Sequence, residues 1–369
     1  MMKNIWTSVS FILVLVLESA LSQNACRTPN RRDGRCIPRT ECRSFMQYFF
    51  PDRILTADEL TFLQLSRCNE SPPMICCPDR AQTSATEATV QSDFSGLLPD
   101  PKRFECGLDI LTDKIYGGED TLLEEFPWYA LLEYVSKKNE RMFQCGGSLI
   151  SKRYVLTAAH CLDNTKLDDG ERFVNVRLGE YNTETVDDCQ GTGEDRICSD
   201  PPQNFGIEEI IVHPRYSKAD TNQHDDIALV RLDRDAVMNT YVTPICLPEA
   251  DFTATRAGTN VTIVGFGHTG RKRHSGVKQK ADVPIVDQNQ CQTKWGKRVL
   301  VGNGQLCAGG HFNIDSCHGD SGGPLMTQRL YWTLEGIVSF GNRCGLEGWP
   351  GMYTRVASYT DWIKSAIRA

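Results

Sequence analysis

Serine, histidine and aspartate stand in three short segments whose neighbours suit them to nucleophilic catalysis. These are Leu156-Thr157-Ala158-Ala159-His160-Cys161, Asp226-Ile227-Ala228-Leu229 and Gly319-Asp320-Ser321-Gly322-Gly323-Pro324. A serine hydroxyl is a poor nucleophile at neutral pH, so Ser321 needs a base within hydrogen-bond reach, and the imidazole of His160 has a suitable pKa. An aspartate beside that imidazole would hold its tautomer and stabilise its charged form; Asp226 and its neighbour Asp225 both offer a carboxylate. Glycines flanking Ser321 let the backbone approach a substrate closely, leaving the N–H groups of Gly319 and Ser321 free to form an oxyanion hole. Each segment alone has a bland reading, as a glycine-rich turn, a core histidine or a solvated acid. They gain weight from occurring together and in this order.

The elements around these segments read as strands. Between Ile115 and Ala369 the chain has short β-branched and aromatic runs punctuated by Gly and Pro, such as residues 260–267 and 332–341. That pattern predicts an all-β sandwich or barrel. Only Tyr359 to Ala369, with Asp361 early and Lys364 and Arg368 later, has helical character. Six cysteines (Cys26, Cys36, Cys42, Cys68, Cys76 and Cys77) crowd into about fifty residues, the density of a small domain whose core is too thin to hold unaided. After Pro78, residues 81–90 are rich in Ala, Thr, Ser and Glu without apolar periodicity, the composition of a solvated linker.

Composition narrows the class further. The 369 residues are 40% hydrophobic and 24% charged, with a net charge of -7, which suits a globular protein and argues against nucleic acid as a main partner. Lys3, the apolar run Phe11 to Leu17 and small residues near Ala20 and Ser22 form a signal peptide pattern, with cleavage expected after Ser22. No later stretch approaches the roughly 20 apolar residues of a membrane helix, so no membrane anchor is expected. Sixteen cysteines in an exported chain are expected to pair as disulfides; a zinc site would need paired C-x-x-C motifs, which do not occur. The divisions expected are a signal peptide (1–22), a disulfide-rich domain (23–78), a linker and propeptide (79–114) and a catalytic domain (115–369).

In that order, the three catalytic segments resemble those of chymotrypsin-like serine proteases, and the resemblance covers nearly all of Ile115 to Ala369. The six early cysteines, with Cys76 and Cys77 adjacent, resemble the clip domain of arthropod proteases. This implies two antiparallel six-stranded β-barrels with a C-terminal helix and the active site in the cleft between the barrels, preceded by the clip domain. The family motif Asp-Ile-Ala-Leu places the catalytic register on Asp226 rather than Asp225. His213, His224, His268, His274, His311 and His318 lie outside it and read as loop or surface histidines. Asp315, six residues before Ser321, matches the base of the primary specificity pocket, where a buried carboxylate calls for Arg or Lys in the substrate. Gly341 and Gly351 match the pocket walls, and Ser339 belongs to the same substrate-binding set.

The resemblance also implies the pairs Cys145–Cys161, Cys291–Cys307, Cys317–Cys344 and Cys106–Cys246, leaving Cys189–Cys198 to close an inserted loop. In the clip domain it implies Cys26–Cys76, Cys36–Cys68 and Cys42–Cys77. Lys114-Ile115-Tyr116-Gly117-Gly118 resembles the activation junction of the family, with Tyr116 where Val is more usual; a new terminus at Ile115 would pair with Asp320. No cofactor for catalysis is expected. Glu180, Asn182, Thr185 and Asp188 lie on the loop that binds calcium in several relatives and offer oxygen ligands for a structural calcium ion, with Asp187 the rival of Asp188. The basic run Arg271 to His274 reads as a solvated, protease-sensitive loop. Asn69 and Asn260 begin N-x-S/T glycosylation patterns.

The resemblance implies a secreted serine endopeptidase zymogen that cuts after Arg or Lys in an arthropod extracellular cascade such as that of haemolymph, activating prophenoloxidase or a cytokine precursor, in innate immunity or in embryonic patterning. Its partners would be such protein substrates, an upstream activating protease and a serpin-type inhibitor. A digestive trypsin would have no use for a clip domain and long linker, and non-catalytic clip homologues usually lack the serine that this chain keeps as Ser321.

Overall fold

The structure, a computed structural model, describes residues 25–28, 33–38, 42, 66–70, 73–78, 96–101, 105–108, 119–163, 171–191, 196–249, 252–267, 274–296, 298–312, 314–329 and 331–369. The signal segment, most of the linker, the Lys114–Ile115 junction, His268 and Arg271 to Arg273 fall outside them. The chain divides into two compact units, Met1–Asp93 and Phe94–Ala369.

In the first unit, β1 (Ala25–Arg27), β2 (Asp33–Pro38), β3 (Arg67–Glu70) and β4 (Pro73–Pro78) form an antiparallel sheet in the order β1-β2-β4-β3. Successive side chains of a strand point to opposite faces. Adjacent Cys76 and Cys77 on β4 therefore take different partners, Cys26 and Cys42, while Cys36 bonds Cys68. With little more than Ile75 as apolar interior among the described residues, these covalent staples substitute for a hydrophobic core. Asn69 lies in β3.

The second unit opens with the short strand β5 (Glu119–Asp120). Its first barrel uses β6 (Tyr129–Val135), β7 (Arg141–Leu149), β8 (Tyr154–Thr157) and β9 (Arg172–Leu178). A small hairpin of β10 (Cys189–Gln190) and β11 (Ile197–Cys198) follows, then β12 (Gln203–Phe205), β13 (Ile207–Val212) and β14 (Ala228–Leu232). The ladder runs β12-β9-β6-β7-β8-β14-β13. Only Gly206 separates β12 from β13, so one bent strand pairs with β9 at one end and β14 at the other and closes a six-stranded barrel.

The second barrel contains β15 (Asn260–Gly265), β16 (Gln279–Val286), β17 (Gln305–Gly309), β18 (Pro324–Gln328), β19 (Trp332–Phe340) and β20 (Pro350–Arg355). The pairing of β15 with β16 closes it, and β5 lies along the outer edge of β16. Helix α1 (Gln288–Trp295) is capped by Asp287, whose side chain accepts the N–H groups of Asn289 and Gln290. Helix α2 (Thr360–Ala366) ends the fold. One apolar cluster runs through both barrels, with Phe126, Trp128 and Tyr129 from the first against Val264, Met326, Trp332 and Ile337 of the second. Asn260 is exposed at the start of β15.

The second compact unit, Phe94–Ala369, takes in residues upstream of 115. The reason is local: Cys106 is bonded to Cys246, the N–H of Gly107 donates to Pro244 O (2.8 Å), and Gly107 O accepts the N–H of Trp332 (2.9 Å). The stretch before the junction is thus fastened to the body of the second unit. The remaining disulfides there are Cys145–Cys161, Cys189–Cys198, Cys291–Cys307 and Cys317–Cys344.

Candidate active site

Register in the first barrel brings the base and the acid together. β8 pairs with β14 so that Thr157 faces Ala228; Asp226 lies two residues before that point and His160 three residues after it, in the 3-10 turn Ala159–Cys161. Asp226 Oδ2 stands 2.8 Å from His160 Nδ1, and Oδ1 accepts the backbone N–H of His160 at 2.9 Å. The second barrel completes the cradle. Ser339 Oγ donates to Asp226 Oδ2 (2.5 Å), and Thr354 Oγ1 donates to the carbonyl of Asp226 (2.8 Å). Asp226 is wholly buried. Burial alone would push its carboxyl up, but the His160 charge and the hydrogen bonds from His160 and Ser339 outweigh it and hold the group below the usual carboxylate range.

Ser321 arrives from the second barrel at the turn before β18. Its carbonyl accepts the N–H of Gly146 (2.8 Å) on β7. Gly322 has φ +77°, and a Cβ there would collide with Thr157 Oγ1 and approach Ala158 N to 3.2 Å. Only glycine therefore lets the serine turn settle against the segment that leads into His160. Gly319 has φ +100°, again a backbone shape that favours glycine. His160 Nε2 lies 3.7 Å from Cys161 Sγ, and among the described residues no hydrogen bond joins it to Ser321. Catalytic hydrogen bonds are often long in a free enzyme and tighten on substrate. Cys145, His160 and Cys161 come within metal-ligand distance of one another, yet the two cysteines are bonded to each other and offer no thiolate.

Behind the nucleophile, Asp320 accepts the N–H groups of Gly267 (2.8 Å) and Cys317 (2.9 Å). Burial raises its carboxyl to about 6 against those two bonds. Asp315 lies close enough to feel its charge. One of its oxygens accepts the N–H of Gly345 (3.3 Å), while the other is buried without a partner. Desolvation pushes this carboxyl to about 6 as well. A Cβ on Gly351 would lie 3.3 Å from that bare oxygen, and one on Gly309 3.4 Å from it. Gly351 thus borders Asp315, whereas Gly341 is exposed with open space around it.

A family model described as Trypsin matches residues 115–363, and one described as Regulatory CLIP domain of proteinases matches residues 26–77. The chain belongs to the trypsin family of serine proteases. It is 58% identical over 358 residues to CLIP domain-containing serine protease B10 of Anopheles gambiae, covering 97% of this chain and 98% of that one. Phenoloxidase-activating factor 1 of Holotrichia diomphalia is 42% identical over 376 residues, covering both chains completely. The crystal structure of the Drosophila Grass clip serine protease of the Toll pathway matches with a TM-score of 0.62 and 32% identity, over 92% of this chain and 96% of that one.

Three details of this clip-domain protease are not in its motifs. Ser339, expected among the substrate-binding residues, turns its buried hydroxyl to Asp226, the carboxylate acceptor in reach. His213, expected in a loop or at the surface, follows β13 in a loop but is buried, with its ring edge-on to Tyr359 and Trp362. Thr354, the other hydroxyl on Asp226, had no motif to announce it; only its buried place on β20 marks it.

The acidic loop is a tight structure. Glu180 and Asp188 are both buried, and each accepts the N–H groups of Tyr181 and Asn182 at 3.0–3.1 Å. Thr185 Oγ1 donates to Asp188 (2.5 Å), and Arg177 pairs with Glu180 (3.0 Å). Asp187 is exposed. Burial pushes the Glu180 carboxyl up and the neighbouring Asp188 charge adds to that, partly offset by Arg177. Two buried carboxylates share one small space, with the Thr185 hydroxyl on one of them, and a hard divalent cation takes oxygen ligands of this kind.

Proposed function

We propose that this protease is a secreted zymogen which, once cut between Lys114 and Ile115, cleaves extracellular proteins after Arg or Lys within an arthropod proteolytic cascade. The observation that carries the specificity is the buried oxygen of Asp315 that has no hydrogen-bond partner. A desolvated carboxylate lacking a cation is stabilised by one supplied from outside, and a long basic side chain brings it. Gly351 leaves room for that side chain.

In the reaction, His160 takes the Ser321 proton as the hydroxyl attacks the scissile carbonyl, and Asp226 stabilises the imidazolium that results. The N–H groups of Gly319 and Ser321 meet the oxyanion. His160 then returns the proton to the leaving amine, and water repeats the sequence on the acyl-enzyme. Asp320 is read as the switch. An ammonium freed at Ile115 would pair with it and order the turn carrying the oxyanion donors, and before the cut no such cation exists. The Cys106–Cys246 bond would keep the clip-bearing light chain attached afterwards. Glu180 and Asp188, with Asn182 and Thr185, would hold a structural calcium ion. Substrates of the prophenoloxidase or cytokine-precursor kind, an activating protease and a serpin-type inhibitor fit a relative named phenoloxidase-activating factor 1 and one described as of the Toll pathway.

Asp315→Ser should abolish the preference for Arg and Lys substrates, a loss of at least about 30-fold from removing one partner of a buried charge pair. In the wild type, KM for Arg substrates should rise as pH falls through about 6, where Asp315 takes up its proton and loses its charge. Phe substrates cleaved as fast as Arg substrates would refute the pocket. Lys114→Gln should stay single-chain and silent under a trypsin-like activator, and full activity without a terminus at Ile115 would contradict the activation step. Chelation should lower the thermal midpoint of the wild type by a few degrees but not that of Glu180→Ala, since a ligand bound only by the folded state stabilises it; calcium-independent melting of both would remove the ion from the account.

A further inference from the structure

Asp225, the carboxylate beside the catalytic one, takes no part in the chemistry above, yet it is held with unusual firmness. Its backbone is in the left-handed region at φ 55°, as is that of Gln223 at φ 50°. Residues other than glycine are uncommon there, and Asp and Asn tolerate it best. The Ile227 N–H closes on the Asp225 carbonyl at 2.8 Å, so a tight turn encloses Asp226. The Asp225 side chain points away from the catalytic centre and is gripped on several sides. Arg215 reaches both oxygens (Nη2 at 2.8 Å, Nε at 3.2 Å), Tyr359 Oη donates at 3.0 Å, and His213 Nδ1 lies 3.7 Å away.

The grip is anchored at both ends of the fold. His213 ends the first-barrel edge, with its N–H on the carbonyl of Ile227 at 3.1 Å, and its ring is wedged between Tyr359 and Trp362 at the start of α2. Its Nδ1 accepts the backbone N–H of Arg215 at 3.4 Å, which leaves the ring proton on Nε2. Burial lowers the His213 pKa, in keeping with a neutral ring. Burial works against the Asp225 charge, but Arg215 and Tyr359 prevail and hold its carboxyl below the usual range.

We propose that Asp225 is a positioning residue for catalysis: clamped by Arg215 and Tyr359, it fixes the strained turn that aims Asp226 at His160. The two adjacent carboxylates divide the work. Asp226 faces inward and orients the imidazole, while Asp225 faces outward and prevents the turn from relaxing to an ordinary backbone shape. This rests on the reading of Asp226, His160 and Ser321 as the catalytic triad.

The test uses the full-length protease after activation, with Asp225→Ala, Asp225→Asn, Arg215→Ala and Ser321→Ala compared on an Arg peptide amide. Asp225→Ala should lower kcat roughly 10- to 100-fold, the scale of a small misplacement of a catalytic group, with KM within about twofold because Asp315 is untouched. Its acid limb in the kcat/KM profile should move to lower pH, since a looser Asp226 stabilises the His160 imidazolium less. Asp225→Asn, which still accepts hydrogen bonds and tolerates the left-handed backbone, should recover most of the loss. Arg215 is largely exposed, so Arg215→Ala should fold even if Asp225→Ala does not, and should shift kcat and the acid limb in the same direction. Wild-type kcat and an unmoved acid limb in Arg215→Ala, or in folded Asp225→Ala, would overturn the proposal. Activity retained in Ser321→Ala would instead overturn the triad on which it rests.

Discussion

A carboxylate sealed from water stays ionised only if the protein surrounds it with donors, and much of this catalytic unit is arranged around meeting that demand at Asp226. Isolated, such a charge would take up a proton rather than remain buried. Here the imidazole and backbone N–H of His160 come from the first barrel and the Ser339 hydroxyl from the second. The proposed triad would therefore also be a joint. Separating the barrels would leave the charge without one of its donors as well as exposing the apolar cluster that runs through both. Catalysis and cohesion depend on the same contacts.

The same logic, left incomplete, describes the sites that await a partner. Asp315 and Asp320 are carboxylates with backbone donors but no cation among the described residues, and both are raised to about 6. Each would thereby gain from an ammonium or guanidinium, which on the proposed function comes to one from a substrate and to the other from the chain's own new terminus. Glu180 and Asp188 form a third such place, served in part by Arg177. Completed and uncompleted charges thus separate what the fold has already assembled from what ligand, processing and ion are proposed to supply.

The catalytic motifs were legible because the chemistry restricts them: Gly322 admits no side chain against Thr157, and Ser321 needs its turn. The strand character of the second unit was legible from short β-branched runs. What escaped the sequence depends on residues far apart in the chain. The burial of His213 arises from Tyr359 and Trp362, and a histidine after a strand reads as surface until that helix is folded against it. Ser339 could be assigned to the substrate region but not turned, since its direction is set by the acceptor it meets. Closure of the first barrel by a single strand bent at Gly206 leaves no signature beyond one glycine between two runs. The attachment of residues 96–108 to the catalytic body rests on Gly107 filling a place among Pro244, Cys246 and Trp332.

The central claim is that an ionised Asp226 sets the tautomer and charge of His160, and Asp226→Asn addresses it most directly. An amide keeps the size of the side chain while removing the charge and reversing one hydrogen bond. The measurement is kcat of the activated variant on an Arg peptide amide at neutral pH, beside a thermal melt to establish that it is folded. A folded variant slowed by about 10⁴-fold, as the Ser-His-Asp mechanism requires, is the predicted result. A folded variant within about tenfold of the wild type would contradict the account.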